Sequence, residues 1–204
     1  MIIGLVKANL KLAEFLRKFK PKILKTQLLV SGMGQFNFDI VGKAMNYAFE
    51  KHKSQTRKTT KVPYFFHCLH VASILAREEA PDYLIAAGFL HDVVEDSKYT
   101  GVSEQELRKE FGNEITDLVM EVTETDKSLS WKERKLERLA NLKKASREVK
   151  VLKCADNLAN SRDTLISYKK YGDEIWKSFN APNGKADKKW ELEETLKNLS
   201  ELKD

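Results

Sequence analysis

The chain has few of the residues that interrupt helices or cross-link a fold. Its 204 residues include nine glycines, four prolines and two cysteines. So few helix breakers leave room for long, uninterrupted helices. The two cysteines, Cys68 and Cys154, suggest neither a disulfide framework nor a zinc-finger spacing. Both stand in apolar, helical surroundings, so we predict buried free thiols in a reducing compartment.

Long apolar runs and alternating apolar patterns are also missing. No run approaches the length of a membrane-spanning helix. Residues 1–6 are too short for the core of a signal peptide, and Lys7 follows them directly. Strand-like alternation is absent, whereas helical spacing of apolar residues recurs along the chain. The sequence therefore predicts an all-α, cytoplasmic protein.

The net charge favours an anionic partner. Lysine and arginine number 36 against 30 aspartates and glutamates, which gives a net charge of +6. Such an excess suits nucleic acid or a phosphorylated small molecule. The sequence has no RNA-binding aromatic signature and no arginine-rich tract. We therefore expect a small-molecule phosphate ligand and no nucleic-acid partner.

Residues 1–35 are predicted to form a basic amphipathic N-terminal extension. Apolar residues recur there at helical intervals between lysines and arginines, until Pro21 interrupts the pattern. Residues 31–34 have the composition of a linker. A helix at a membrane surface or on a partner is possible. An extra helix packed on the domain is the preferred interpretation, and stable membrane insertion is not expected.

Four polar or charged residues, His91, Asp92, Glu95 and Asp96, lie within six positions at the end of an otherwise apolar stretch. We predict that it continues a buried helix, on which residues three and four apart share a face. Three carboxylates and an imidazole on one face repel one another and lose solvation unless a cation or substrate offsets this. A metal site is the usual solution.

Two further helices are predicted to contribute to the same chemistry. One runs from Ile40 to about His52 with Asp39 as its cap, and the basic loop 53–61 follows it. The other runs from Val149 to about Tyr168. On its surface three polar residues recur at intervals of three and four and share one face: Lys153, Asp156 and Asn160.

These segments resemble a known family. The sequence His-Asp-Val-Val-Glu-Asp at 91–96 resembles the HD superfamily of metal-dependent phosphohydrolases, and within it the hydrolase domain of RelA/SpoT type. Residues 151–160 resemble the motif Lys-Leu-Ala-Asp-x-Leu-x-Asn of that family. Residues 52–58 and 63–67 resemble its His-x-Gly-Gln-x-Arg-Lys and Pro-Tyr-x-x-His-Pro segments. The resemblance covers about residues 39–170 and extends to the small stand-alone alarmone hydrolases of the metazoan SpoT type.

The resemblance implies a helical HD-domain bundle over residues 36–204 and a role for each matching residue. The implied activity is metal-dependent (p)ppGpp 3′-pyrophosphohydrolysis, which gives GDP or GTP and pyrophosphate. Two imidazoles and two carboxylates suit one Mn²⁺ ion better than a structural zinc. The expected metal ligands are His67, His91, Asp92 and Asp156. The expected catalytic residues are Glu95 and Asp96, and the expected substrate-binding residues are Arg57, Lys58, Lys153 and Asn160.

Departures from the motifs keep two alternatives open. Ser54 replaces a glycine, Cys68 replaces a proline, and residues 59–62 lack a glycine, which affects the fit of the substrate more than the metal site. The chain is then either a phosphohydrolase of another nucleotide, such as a 2′- or 3′-phosphorylated dinucleotide, or a non-catalytic module that binds an alarmone or a protein. His70 could compete for the metal, and Asp163 could cap a helix or bind nucleotide. The oligomeric state stays undetermined.

Overall fold

The computed structural model describes residues 2–18, 36–124, 126 and 128–200. Within these ranges the chain is helical and has no strand, only an isolated bridge between Thr56 and Pro63. The predicted all-α class is confirmed. The helices, in chain order, are α1 (Ile2–Lys18), α2 (Phe38–His52), α3 (Phe65–Arg77), α4 (Asp82–Leu90), α5 (Ser97–Thr100), α6 (Glu104–Val122), α7 (Trp131–Lys144), α8 (Arg147–Tyr171), a 3₁₀ helix (Gly172–Ser178) and α9 (Lys185–Ser200).

Helix α4 is the centre of the bundle. All of its residues from Leu84 to Leu90 are buried, and α2, α3, α6 and α8 pack around it. Gly88 allows α3 to approach closely, because a Cβ at this position would lie 2.7 Å from the Leu75 Cδ1 atom. A helix that is apolar on every side is expected in such a central position. Its burial fixes the direction in which the chain leaves Leu90.

Helices α1 and α8 form a second packed layer. Leu5, Leu12 and Leu16 of α1 are buried, and α1 contacts α8 and α9. The Leu12 carbonyl accepts a hydrogen bond from the Cys154 thiol at 3.5 Å. Of the two interpretations of the N-terminal helix, packing on the domain is therefore the one observed. Pro21 and the linker at 31–34 lie outside the described residues, and the domain boundary near residue 35 stays a prediction.

Local sequence signals mark the starts of α7 and α8, whereas the predicted cap of α2 is wrong. Helix α2 begins at Phe38, and its cap is Asn37, whose side chain accepts hydrogen bonds from the Asp39 and Ile40 amides. The predicted cap Asp39 is therefore wrong; it lies in the first turn, where its charge favours the helix dipole. Ser130 forms a capping box with Glu133 at the start of α7, and Ser146 caps α8. Both cysteines are buried and unpaired, as predicted.

The motif at 91–96 does not continue the helix. Helix α4 ends at Leu90, and residues 91–96 form consecutive turns before α5. The prediction that these four polar residues share a helical face is therefore wrong. Neighbours on a regular helix point about 100° apart. The turns instead let the adjacent residues His91 and Asp92 direct their side chains to one place.

Candidate metal centre and active site

Four side chains from three separate segments converge, and the two carboxylates among them, Asp92 and Asp156, line a cavity. His67 lies in the first turn of α3, His91 and Asp92 follow α4, and Asp156 is near the middle of α8. The Nε2 atoms of His67 and His91 lie 3.2 Å apart. Asp156 Oδ1 lies 3.3 Å from the first and 3.7 Å from the second. Asp92 Oδ2 lies 2.9 Å from His91 Nε2 and 3.6 Å from His67 Nε2.

This arrangement fits a divalent metal ion. Bonds of about 2.0–2.2 Å to nitrogen and oxygen place neighbouring ligand atoms roughly 3–3.5 Å apart, close to the distances seen. His91 Nδ1 lies 2.9 Å from the Gly88 carbonyl, which favours a proton on Nδ1 and leaves Nε2 as the nitrogen that faces the cluster and would bind a metal. His67, His91 and Asp156 form a group of buried potential ligands whose donor atoms all lie within 4.8 Å of one another. Asp92 is the fourth donor within reach.

The electrostatics show that this position attracts positive charge. Burial would lower the pKa of His91, but Asp92 and Asp156 outweigh it and raise the pKa to about 9. Burial likewise opposes ionisation of Asp156, yet Lys153 and the two histidines hold the pKa of its carboxyl well below the usual range. Two ionised carboxylates thus face two imidazoles in a buried site. A bound cation would satisfy them together.

Glu95 is a carboxyl group suited to proton transfer. Burial, followed by the charge of Asp92, raises the pKa of Glu95 to about 7. The backbone amide of Glu124 donates a hydrogen bond to Glu95 Oε2 at 3.2 Å, which fixes one side of the carboxyl group. A carboxyl with a pKa near the working pH accepts and releases protons readily. Glu95 lines the same cavity as Asp92 and Asp156.

Arg57, Asn160, Asp156 and Lys153 form a chain of hydrogen bonds. The Arg57 guanidinium donates to Asn160 Oδ1 at 2.7 Å, and Asn160 Nδ2 donates to Asp156 Oδ1 at 2.5 Å. The Lys153 ammonium donates to Asp156 Oδ2 at 2.6 Å and is almost buried. This chain orients Asp156 from both oxygens. Lys153 therefore stands behind an expected metal ligand, and its predicted contact with substrate stays a prediction.

The cavity has a volume of about 1300 Å³, and its lining includes every predicted site residue except the two histidines, His67 and His91. Arg57, Lys58, Asp96 and Asn160 line it together with the carboxylates of the cluster. Lys58 is exposed at its wall. Ligand pockets commonly measure about 300–1000 Å³. The cavity therefore accommodates a nucleotide with several phosphates.

Three further residues near the site, His70, Asp163 and His52, have defined contacts. The Nδ1 atom of His70 lies 3.8 Å from Asp163 Oδ1, and His70 is not in the buried metal-ligand group of the described residues. Asp163 pairs with Arg57 at 3.4 Å and so holds the predicted substrate cation. His52 is fully buried, and its Nδ1 atom lies 2.6 Å from Gln55 Oε1.

Sequence reasoning missed two groups of residues. Tyr64 donates a hydrogen bond from its hydroxyl to Asp92 Oδ2 at 2.6 Å, and burial followed by Asp92 raises the pKa of that hydroxyl well above its usual value. The second group is an ion cluster at the cavity wall between α7 and α9, made of Glu124, Arg134, Lys135, Arg138, Lys188 and Glu191. For the first group the sequence did contain a signal, because Tyr64 belongs to the Pro-Tyr segment that resembles the family motif. The contacts of α7 with α9 span about fifty residues and give no local pattern.

Comparisons with known proteins agree with this geometry. The family described as "HD domain" matches residues 44–181. The guanosine-3′,5′-bis(diphosphate) 3′-pyrophosphohydrolase MESH1 of Drosophila melanogaster is 39% identical over 128 residues, which are 61% of this chain and 69% of that protein. The GTP pyrophosphokinase rsh of Brucella melitensis is 35% identical over 158 residues, 74% of this chain and 19% of that protein.

Two solved structures share the fold. One belongs to a metazoan ortholog of SpoT that hydrolyzes ppGpp and plays a role in starvation responses. Its TM-score is 0.57 at 31% identity, with 80% of this chain and 97% of that chain covered. The other is lmo0812 from Listeria monocytogenes EGD-e, with a TM-score of 0.59, 34% identity, and 66% and 83% of the two chains covered.

Proposed function

This chain belongs to the HD-domain family, in the branch of the RelA/SpoT-type hydrolases, and we propose that it is a metal-dependent (p)ppGpp 3′-pyrophosphohydrolase. The observation that carries the proposal is the convergence of His67, His91, Asp92 and Asp156 beside a cavity that Asp92, Asp156 and Glu95 line. The products are GDP or GTP and pyrophosphate. The names of the Drosophila MESH1 protein and of the metazoan SpoT ortholog both give ppGpp as the compound hydrolysed, which supports the choice of substrate.

The four converging side chains would hold one divalent cation, and we propose Mn²⁺. The mixed set of two imidazoles and two carboxylates supports this choice, since it is harder than a thiolate site. When bound, such an ion lowers the pKa of water and polarises a phosphoryl oxygen. Tyr64 and Lys153 keep Asp92 and Asp156 oriented for it through hydrogen bonds of 2.6 Å. His91 is held in the matching tautomer by the Gly88 carbonyl.

Glu95 and Asp96 are the proposed catalytic pair. Water attacks the phosphorus that is bonded to the ribose 3′ oxygen, and Glu95, with its raised pKa, takes a proton from that water. The bond between the phosphorus and the 3′ oxygen breaks, the pyrophosphate leaves with the oxygen of the water, and the 3′ oxygen takes up a proton to become the hydroxyl of the nucleotide. Asp96 orients that water from the next position in the chain. Arg57 and Lys58 offset the negative charge of the pyrophosphate, and Asn160 offers an amide to the ribose or base.

The cellular setting is proposed from the same features. None of the helices in the described ranges is long and apolar enough to cross a bilayer. The two unpaired, buried cysteines support a cytoplasmic location, and we propose a part in the alarmone signalling of the stringent response there. The partner is a small phosphorylated guanine nucleotide.

A substrate panel tests the proposal. Purified protein with Mn²⁺ is incubated with ppGpp, pppGpp and 2′- or 3′-phosphorylated dinucleotides, and the products are separated by anion-exchange chromatography. We expect the highest kcat/KM for the two alarmones, with pyrophosphate as a product. Preferred release of monophosphate from a dinucleotide would favour the other enzyme function. Tight alarmone binding without any turnover would favour a binding module.

A further inference from the structure

A buried hydrogen-bond chain leads from His52 to the proposed catalytic residue Asp96. His52 Nδ1 and Gln55 Oε1 lie 2.6 Å apart, and Gln55 Nε2 donates to Asp96 Oδ2 at 2.6 Å. His52 is 0% exposed and Gln55 is 6% exposed, although both are polar. Burying a polar side chain costs free energy unless the side chain is hydrogen-bonded, so buried polar residues are normally found in hydrogen-bonded networks. Neither residue touches the converging metal ligands through these bonds.

The chemistry of the amide fixes the direction of the chain. An ionised carboxylate only accepts hydrogen bonds, so the amide NH₂ of Gln55 must face Asp96 and its carbonyl oxygen must face His52. The carbonyl oxygen in turn requires a proton on His52 Nδ1. His52 Nε2 is then a bare lone pair, which agrees with its burial without a hydrogen-bond partner among the described residues. One amide thus links the tautomer of His52 to the carboxylate of Asp96.

Backbone hydrogen bonds on both sides fix the position of Gln55. Its amide donates to the His52 carbonyl at 2.9 Å, and its carbonyl accepts from the Tyr64 amide at 2.9 Å. The Tyr64 ring packs on the His52 ring with 5.0 Å between centroids. Gln55 is therefore clamped between the end of α2 and the start of the segment that carries His67. Because its backbone is fixed in this way, the Gln55 side chain reaches Asp96 from a fixed position.

We propose that Gln55 is a positioning residue that sets the orientation of the Asp96 carboxylate, and that His52 sets the orientation of Gln55. By binding Oδ2, the Gln55 amide fixes the rotation of the carboxylate and hence the direction of Oδ1. The inference rests on the proposed function, since it takes Asp96 as the group that orients the attacking water. Misplacement of such a group by about 1 Å lowers the rate by up to about 100-fold.

Four variants test the chain of bonds. Gln55→Met keeps the length of the side chain and removes both amide bonds. We expect kcat on ppGpp to fall by about 10- to 100-fold, with KM and metal content close to the wild type. His52→Leu should give a smaller loss in kcat, and His52→Asn should restore most of it, because the asparagine amide can donate in place of Nδ1. Gln105→Met, on the exposed face of α6, is the matched control and should leave kcat unchanged.

A double variant separates positioning from general damage to the fold. If Gln55 acts through Asp96, Gln55→Met should reduce kcat by less than twofold when Asp96→Asn is already present. Multiplying losses in the double variant would overturn the inference. So would a Gln55→Met protein with wild-type kcat, or one that loses its metal.

Crystal structures of the wild type and Gln55→Met test whether Gln55 orients the Asp96 carboxylate, and this test does not require an activity measurement. The Asp96 carboxylate should rotate in the variant and keep its contact with the Gln55 amide in the wild type. An unchanged carboxylate in Gln55→Met would overturn the inference. If the wild type leaves ppGpp intact, the proposed function fails, and the rotation of the carboxylate still answers whether Gln55 orients Asp96.

Discussion

Helix α9 is predicted to depend on one buried carboxylate, Glu191, for its attachment to α7. Glu191 Oε1 lies 2.5 Å from the Arg138 guanidinium and 3.6 Å from the Lys135 ammonium, while Oε2 lies 2.5 Å from the Lys188 ammonium. The side chain is only 10% exposed. The perturbation is Glu191→Gln, which keeps the shape of the side chain and removes its charge.

The magnitude follows from the pKa of this group. Burial would raise the pKa of Glu191, but Lys188, Arg138 and Lys135 outweigh it and lower the pKa from 4.5 to about 2. Linkage converts that difference into on the order of 3 kcal/mol of stability at neutral pH. Burial also lowers the pKa of Lys135, which offsets part of the gain. We therefore expect Glu191→Gln to reduce the free energy of unfolding by at most about 3 kcal/mol.

The sign of the pH dependence is fixed by the direction of the shift. A carboxyl whose pKa is lowered on folding stabilises the protein above its unfolded pKa, here 4.5. That contribution is lost as the pH falls from 4.5 towards 2. The difference in the free energy of unfolding between wild type and Glu191→Gln should therefore be constant from pH 7 to about 5 and become smaller below pH 4.5.

Urea unfolding followed by circular dichroism measures the difference at each pH, and calorimetry gives the shift in Tm. At about 2–4 °C per kcal/mol, Glu191→Gln should lower Tm by up to roughly 12 °C at pH 7. The matched control is Glu193→Gln on the same helix, where the carboxylate is 62% exposed and lies 3.8 Å from Lys189. Its effect should stay within about 0.5 kcal/mol. Equal stability of the two variants would refute the reasoning.

Three further predictions concern the metal ligands, the substrate cation and the core. His67→Ala removes a buried donor and should lower the bound metal, measured by plasma mass spectrometry, from about one ion per chain towards zero; a full complement of metal would contradict this. Arg57→Gln removes a guanidinium from the cavity wall and should raise KM for ppGpp about tenfold or more in steady-state assays; an unchanged KM would exclude substrate contact. Gly88→Ala places a methyl group 2.7 Å from Leu75 Cδ1 and should cost about 1–3 kcal/mol in urea unfolding, whereas Gly42→Ala, with nothing within 4 Å, should be neutral or stabilising.

The sequence allowed the site to be predicted where its residues stand in short motifs. His91 and Asp92 are adjacent, and Asp156 repeats with Lys153 at helical spacing, so their shared surroundings follow from local pattern and resemblance. The structure brings the expected ligands together, although it does so through turns and not along one helical face. A helix buried on all sides has no amphipathic period to mark its end, which is why the stop at Leu90 was missed.

The rest of the site depends on contacts between distant segments. Gln55 meets Asp96 across 41 residues, and Arg138 meets Glu191 across 53 residues. Tyr64 meets Asp92 through a single hydroxyl. No helical or strand period encodes such contacts, because they arise only when the packing of α2, α4, α7 and α9 is complete. These long-range contacts determine how the charged groups of the site are oriented, whereas the short motifs identify the residues that carry those groups.

The most direct test of the proposed activity is product analysis after the Mn²⁺-loaded protein is mixed with ppGpp. Wild-type protein should yield GDP and pyrophosphate in equal amounts. The Glu95→Gln/Asp96→Asn variant, with the same metal content, should yield neither above background. Intact ppGpp after incubation with metal-loaded wild type would contradict the proposed activity. Equal turnover by the variant would contradict the role of the two carboxylates.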